Sequence, residues 1–375
     1  MPSNFKFPID GILYDILDLF IIKPIFGTNS SLWACGFNNL GRLGDGTIIN
    51  KSSPIQVGSL TDWNTICAGN SSYSVKSTGT LWAWGPNGNG ELGNGTRTAV
   101  SSPIQIGSLT NWKQVNGCNL AAHAIKTDGT LWGWGLGNRL GDGTIISKSS
   151  PIQIGSLTTW KAVAGIGPSL VALKTDGTIW SWGTDGYSGT LGQGTTSTNR
   201  SSPTQIGLLT NWKQVSCGYN FMGAVKTYGT LWVWGDNYYG QLGLGDRTNR
   251  SSPVQLGLQT NWSQVSCGNL HLTATKTDGT LWACGYNAYG QLGDGTIISR
   301  SSPVQTGLST NWRQVSANGA STAAVKLDGT LWNWGDNSQG QLGDGTIANK
   351  SSPIQVGSLT SWRAVAVGNY YILAV

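Results

Sequence analysis

Two histidines, His123 and His271, and six cysteines, Cys35, Cys67, Cys118, Cys217, Cys267 and Cys284, have the widest chemical range in this 375-residue sequence. A Ser–His pair would open acyl transfer, and a Cys/His cluster would hold zinc. The spacing favours neither. There is no CxxC pair, and two histidines leave almost no material for a zinc site. His123 and His271 occupy the same place in a repeat, three units apart. A catalytic pair would need one unit to differ from its siblings, so both read as ordinary strand residues. Cys217 and Cys267 hold equal places in two VSCG strings. They could pair only with Cα atoms within about 7 Å, and small buried thiols are the expectation. The aspartates of LGDGT (Asp45, Asp142, Asp294, Asp344) lack the alternating carboxylates and closing Glu of a calcium loop. Asn94, Gln193 and Leu244 replace them in other units, so they read as turn residues. No GxxxxGK[ST] phosphate loop is present. The expectation is a non-enzymatic chain with no catalytic residue, no metal site and no cofactor.

The cations are more ordered. Of 23 Lys and Arg, 17 fall at three recurring positions. Lys51, Lys148, Arg200, Arg250, Arg300 and Lys350 precede SSP; Lys76, Lys126, Lys174, Lys226, Lys276 and Lys326 precede a turn; Lys113, Lys161, Lys213, Arg313 and Arg363 follow a Trp. Around a closed ring each position would become a circle of charge. The first circle is the candidate anion site, for an anionic polysaccharide or cell-surface ligand, with nucleic acid not expected. The alternative is solvated charge that keeps a Trp-rich surface soluble.

The elements that must carry these residues follow from composition and spacing. The chain holds 55 Gly and 19 Trp with 11% charged residues. Collagen is excluded by the absence of a three-residue Gly register, and disorder by the apolar surface that so many Trp must hide. Helices fit poorly because Gly is costly in their interiors. A unit of about 50 residues recurs, marked by Trp63, Trp112, Trp160, Trp212, Trp262, Trp312 and Trp362. The other 12 Trp lie in LWxWG, where Cys35 and Cys284 interrupt the double-Trp pattern. Two Trp spaced by two residues share one face of a strand. Asp128-Gly129, Asp176-Gly177, Asp278-Gly279 and Asp328-Gly329 are hairpin turns. NWxQVxxG and SSPxQxG add two further strands, the latter with Pro near its start. Four short strands per unit describe a propeller blade, and seven units an all-β, seven-bladed β-propeller over residues 31–375.

The ends of the repeat show how the ring closes. Val375 aligns with Val325, so the last hairpin lacks its turn and second strand, while Ser31–Cys35 begins as a second strand without a first. Pairing Ile372–Val375 with Ser31–Cys35 completes the seventh blade and removes two open edges.

The strings LWxWGxNxxGQLGDGT, NWxxVxxG and AxKxDG resemble repeats of the regulator of chromosome condensation family over Ser31 to Val375. The resemblance implies a seven-bladed propeller whose last blade is shared by both chain ends. It also implies an alternative function as a nucleotide-exchange or chromatin-binding regulator. The exchange wedge that the family uses is not matched, since Trp-to-Trp spacings stay between 48 and 52, and neither is its basic tail, since the first 30 residues carry three Asp and two Lys. The near-identical units resemble bacterial and phage versions.

Residues 1–30 form a separate leader. Its apolar run from Ile9 to Phe26 is interrupted by Asp10, Asp15 and Asp18 and ended by Pro24, which fits neither a membrane span nor a signal peptide. Ile12, Leu13, Ile16, Leu17, Phe20 and Ile21 are candidate docking residues for a protein partner. The stretch Asn4–Gly11 with Tyr14-Asp15 and Leu19-Phe20-Ile21 resembles leaders of cyanophage virion proteins. The resulting expectation is a structural interaction module of a virion, made in the host cytoplasm and without a secretion signal.

Overall fold

The Asp-Gly turn sets the centre of each unit. Gly129 adopts φ +79°, and a Cβ there would lie 2.1 Å from the Thr158 carbonyl oxygen, so both conformation and space demand glycine. The hairpin it joins is flanked by one further strand on each side. In a computed structural model that describes residues 30–375, blade 1 runs Trp63–Ala68, Ser72–Lys76, Leu81–Gly85 and Val100–Gln105. Blades 2 to 6 repeat this order from Trp112, Trp160, Trp212, Trp262 and Trp312, each a four-stranded antiparallel sheet. Helix among the described residues is confined to three short 3-10 turns. The leader residues Ile12, Leu13, Ile16, Leu17, Phe20 and Ile21 lie outside the described residues.

Blade 7 combines the two chain ends. Its strands are Val365–Val367, Tyr371–Ala374, Trp33–Gly36 and Lys51–Gln56. Trp33 pairs with Ala374, Ala34 with Leu373, Cys35 with Ile372 and Gly36 with Tyr371. The closing clasp is thus present, with Val375 just beyond it exchanging backbone hydrogen bonds with Ala364. The prolines sit further in than their strings suggest. Pro54 lies in the middle of the outer strand, where pairing breaks between Ile55 opposite Ala34 and Lys51 opposite Gly36. A missing N–H costs nothing in such an irregular edge.

The strands that begin with the single Trp are innermost and line a central channel of about 230 Å³, walled by Asn116, Ser216, Ser266 and Ser316 among others. Blades pack through Trp. In blade 1, Trp63 meets Trp82 and Trp84 edge-on with ring centres 5.7 and 6.0 Å apart, and this face buries Leu32, Leu43, Val57 and Leu373 of blade 7. The second Trp of LWxWG then reaches back into the preceding blade. Trp84, Trp134, Trp182, Trp234 and Trp334 donate their indole N–H to the carbonyls of Arg42, Glu91, Arg139, Thr190 and Gln291 at 2.7–3.0 Å. Cys35 and Cys284 aim their thiols at the matching carbonyls of Gln341 and Gln241, at 3.3 and 3.5 Å. The apparent breaks in the Trp pattern therefore keep the same inter-blade contact with a smaller donor. Gly44 lets the indole in: a Cβ there would stand 2.7 Å from Trp84 Nε1.

Candidate binding faces

The antiparallel order gives the disc two unlike ends. One, the loop face, carries the short hairpins between first and second strands and the long loops between third and fourth. The other, the turn face, carries the Asp-Gly turns and the links from each outer strand to the next inner one.

A buried Asn organises most long loops. Asn38 Nδ2 donates to Asp45 Oδ1 and to the carbonyls of Thr47 and Ile49, while its Oδ1 accepts from Leu43 N–H at 2.9 Å. Asn87, Asn287 and Asn337 make the same set of contacts. The LGDGT aspartates are turn residues, as expected. Burial pushes Asp45 upward, but the N–H and hydroxyl of Thr47, the Asn38 amide and Lys51 outweigh it and hold the carboxyl below its ordinary value. So organised, the loops hold Ile48, Ile49, Ile297, Ile298 and Ile347 exposed, and the blade 2 loop, where Gly137 takes the place of the Asn, exposes Ile145 and Ile146 as well. Between blades 4 and 5 the tyrosines Tyr238, Tyr239, Tyr286 and Tyr289 form a chain with successive ring centres 4.9, 4.8 and 6.1 Å apart. The channel end on this face is crowded by Asn70, Asn119, Asn269, Asn318 and Asn369.

The candidate anion circle begins the outer strands on this same face, and four of its six members have acids against them. Lys51 meets Asp45 at 3.6 Å, Arg250 meets Asp246 at 2.6 Å, Arg300 meets Asp294 at 3.1 Å and Lys350 meets Asp344 at 3.2 Å. Lys148 and Arg200 make no ion pair among the described residues. Most of the circle's charge is therefore spent within its own loops.

The second set of cations is on the turn face and is caged. Lys126 Nζ lies 4.8 Å from the Trp112 ring centre and 3.6 Å from that of Trp132. Lys76, Lys174, Lys226, Lys276 and Lys326 sit between the equivalent Trp pairs. These are cation–π contacts on partly buried ammonium groups. Burial lowers the ammonium pKa of Lys126, Lys174, Lys226, Lys276 and Lys326.

The third set has a different origin. In blades 1 to 6 the inner strand carries a β-bulge just after its Trp: Trp112 pairs with Lys126 and Gln114 with Ile125, leaving Lys113 outside the ladder. The same shift occurs after Trp63, Trp160, Trp212, Trp262 and Trp312. In blade 7 the N–H groups of Arg363 and Ala364 both donate to the Val375 carbonyl. A bulge re-aims its extra residue, and here that residue is Lys113, Lys161, Lys213, Arg313 or Arg363, at the turn-face end of the inner strands that wall the channel. Arg313 reaches across to the next blade, where its guanidinium donates to the carbonyls of Trp362, at 3.1 Å, and Arg363. Deeper in the channel Gln214, Gln264 and Gln314 bridge to the neighbouring strands at Val265, Val315 and Val365.

The residues with catalytic potential are sealed. His123 Nε2 lies 3.1 Å from the Leu140 carbonyl and His271 Nε2 lies 3.0 Å from Thr322 Oγ1. Both rings are fully buried, which lowers their pKa to about 4 and about 3. Cys217 and Cys267 are free and buried, and burial raises the Cys217 thiol to about 12. Among the described residues no cluster of His, Cys, Asp or Glu could hold a metal ion, and no helix is long and apolar enough to cross a membrane.

The profile of the regulator of chromosome condensation (RCC1) repeat matches residues 29–73, 78–117, 176–225, 228–275, 278–325 and 328–375, well over half of the chain. A second profile of the repeat matches residues 212–241 and 262–291. No curated protein matches. Among solved structures, Prp20p from Saccharomyces cerevisiae, described with its binding properties to Gsp1p and histones, superposes with a TM-score of 0.82 at 18% identity, over 93% of this chain and 92% of its own. The structure of Kap60 bound to yeast RCC1 (Prp20) contains a chain that matches with a TM-score of 0.84 at 18% identity, over 100% of this chain and 94% of its own. Human WBSCR16 gives 0.81 at 20% identity, over 92% and 98%. At these identities the likeness concerns the fold.

Proposed function

From the premise that the chain belongs to the RCC1 repeat family, we propose that it is a non-enzymatic interaction module that engages a protein partner through its loop face. One observation carries this reading: the exposed isoleucine tips of several loops, with the chain of four tyrosines, are held up on one face by buried asparagines. Apolar and aromatic side chains displayed on rigid supports are what a protein interface core is made from. Several weak contacts on one disc add through avidity. Among the described residues His123, His271, Cys217 and Cys267 are buried away from both faces. In this reading residues 1–30 dock the propeller to a virion, in keeping with the resemblance of the leader to cyanophage virion proteins, and the virion is where the chain resides.

The test uses purified particles. Mass spectrometry should find the chain in virions, and deletion of residues 1–30 should abolish incorporation while melting stays unchanged. Incorporation of the shortened chain would remove the docking role. A double Tyr238→Asp, Ile297→Asp variant should melt like the parent yet lose partner binding; unaltered binding would remove the loop face from the interface.

A further inference from the structure

We propose that the turn-face mouth of the central channel is a binding site for a compact polyanion bearing phosphate groups, held by the bulged cations Lys113, Lys161, Lys213 and Arg313, with Arg363 completing the circle. The proposal concerns the face opposite the protein-binding one and stands apart from that reading.

Three observations lead to it. The cations are placed there by a backbone device rather than by chance on a surface. Each inner strand bulges at the residue after its Trp, so that residue leaves the ladder at the turn-face end of the channel wall, and five of the seven such positions are Lys or Arg. The exceptions are Asn64 and Ser263. These two split the circle into an arc of three lysines on blades 2 to 4 and an arc of two arginines on blades 6 and 7.

Next, like charges are crowded there. Burial and then the neighbouring Lys161 lower the pKa of Lys213, and burial and then Arg363 lower that of Arg313. Partial burial raises the strength of every charge interaction at the mouth, repulsive ones included, and an anion would relieve that repulsion.

Finally, the acids of this face are engaged elsewhere. Asp62 is bonded to Lys76 at 3.1 Å. Asp128, Asp176, Asp278 and Asp328 accept the N–H and hydroxyl of the Thr two residues on, at the outer hairpins. None of the ion pairs among the described residues involves Lys113, Lys161, Lys213 or Arg313. Arg363 bonds to Ser30 Oγ at 3.1 Å and adds its charge from there.

The chemistry of the ligand follows from the ring arrangement. Cations arranged about one central axis match an anion whose several charges lie close together. A long chain with widely spaced charges could satisfy only one arc at a time. Phosphate oxygens suit both the point charge of Lys and the forked donors of Arg.

The experiment is isothermal titration of the full chain with inorganic tripolyphosphate at low and moderate salt. Saturable binding that weakens with salt is expected, and a Lys161→Ala, Lys213→Ala variant should bind at least tenfold more weakly. A Lys148→Ala, Arg200→Ala variant, which removes charge from the loop face instead, should bind like the parent. An Asn64→Lys, Ser263→Lys variant fills both gaps and should bind more tightly, which tests the site even if the alanine variant folds poorly. Absence of saturable binding, equal loss in the loop-face variant, or no gain on filling the gaps would overturn the proposal. So would tight binding of heparin with none of tripolyphosphate, which would mark an extended-chain surface.

Discussion

The two faces of the disc draw on the same repeat, the loop face receiving one set of cations and the turn face two, and they end with different electrostatics. On the loop face Lys51, Arg300 and Lys350 follow an Asp by six residues, and the intervening loop folds that acid back onto the cation. On the turn face Lys113, Lys161 and Lys213 are single bulged residues, and the strand that follows them offers Gln or Ala and then Val rather than an acid. A periodic charge is therefore not yet a potential. Whether it can recruit a ligand depends on what the local backbone closes onto it, and loops and bulges do opposite things.

Both faces depend first on the ring being closed, so the largest effect is expected from opening it. Deleting residues 370–375 removes the strand between Trp33–Gly36 and Val365–Val367 and leaves two unpaired edges. Calorimetry should show loss of a single cooperative melt and exposure to proteases on both faces. Unchanged melting would mean that the clasp is dispensable. A step below this, Trp134→Ala removes a fully buried indole from beneath Gly93 and its bond to the Glu91 carbonyl. The expected cost is about 3–5 kcal/mol in a denaturant titration. Hydrogen exchange should report it at the blade 1 long loop, residues 86–99, before the turn face. Equal loosening of the two faces would break the distinction drawn between them.

The contrast also marks what the amino-acid sequence discloses. The blade count, the hairpin turns and the clasp were legible, because each rests on spacing along the chain: Val375 aligning with Val325 is enough to show which strand is missing. The three circles of cations were legible as circles, but their environments were not. That Lys51 is neutralised depends on Asn38 drawing Asp45 and Thr47 together, a contact between residues seven and nine apart that no simple period announces. The bulge after each inner Trp is equally silent, since one extra residue in a ladder leaves no compositional trace. The substitution of Cys for Trp at positions 35 and 284 looked like loss of a repeat feature. Only the shared carbonyl acceptor in the preceding blade shows that the role is retained.

Acid should separate the faces further. His123 and His271 are buried with folded pKa values of about 4 and about 3, below the ordinary histidine value. Above pH 6.5 both states carry neutral rings. As pH falls from there toward 4, the unfolded chain takes up protons that the fold excludes, so stability falls by about 1.4 kcal/mol per pH unit for each histidine. The aspartates Asp45, Asp294 and Asp344, held below their ordinary value, give up their contribution only at still lower pH. Both histidines brace loop-face segments, His123 through Leu140 and His271 through Thr322, whose hydroxyl donates to the Gln291 carbonyl. Hydrogen exchange at pH 5 should therefore open residues 136–147 and 286–299 before the turn face. A double His123→Gln, His271→Gln variant should have a flat stability profile between pH 6.5 and 5; a slope equal to the parent's would assign the acid sensitivity elsewhere.

The smallest effect on stability bears most directly on the comparison. Replacing Asp45, Asp294 and Asp344 by Asn should turn the loop face into a second cationic face at little cost. Blade 1 supplies the reason. There Asn94 stands at the aspartate position, and its Oδ1 still accepts from Asn87 Nδ2 at 3.1 Å and from the Thr96 N–H and hydroxyl at 3.1 and 2.9 Å. The loop geometry thus survives the neutral residue, and in that blade the partner position holds Val100 rather than a cation. In blade 4, where Leu244 takes the usual place, an acid reappears at Asp246 and meets Arg250. In these two blades the negative charge follows the cation rather than the turn. Partly exposed pairs of this kind contribute about 0.2–1 kcal/mol each, so the triple variant should melt close to the parent. Its retention on a heparin column should rise, and the added retention should vanish when Lys51, Arg300 and Lys350 are also replaced by alanine. Retention equal to the parent's would show that the aspartates do not mask these cations. The difference between the faces would then rest on the bulges alone.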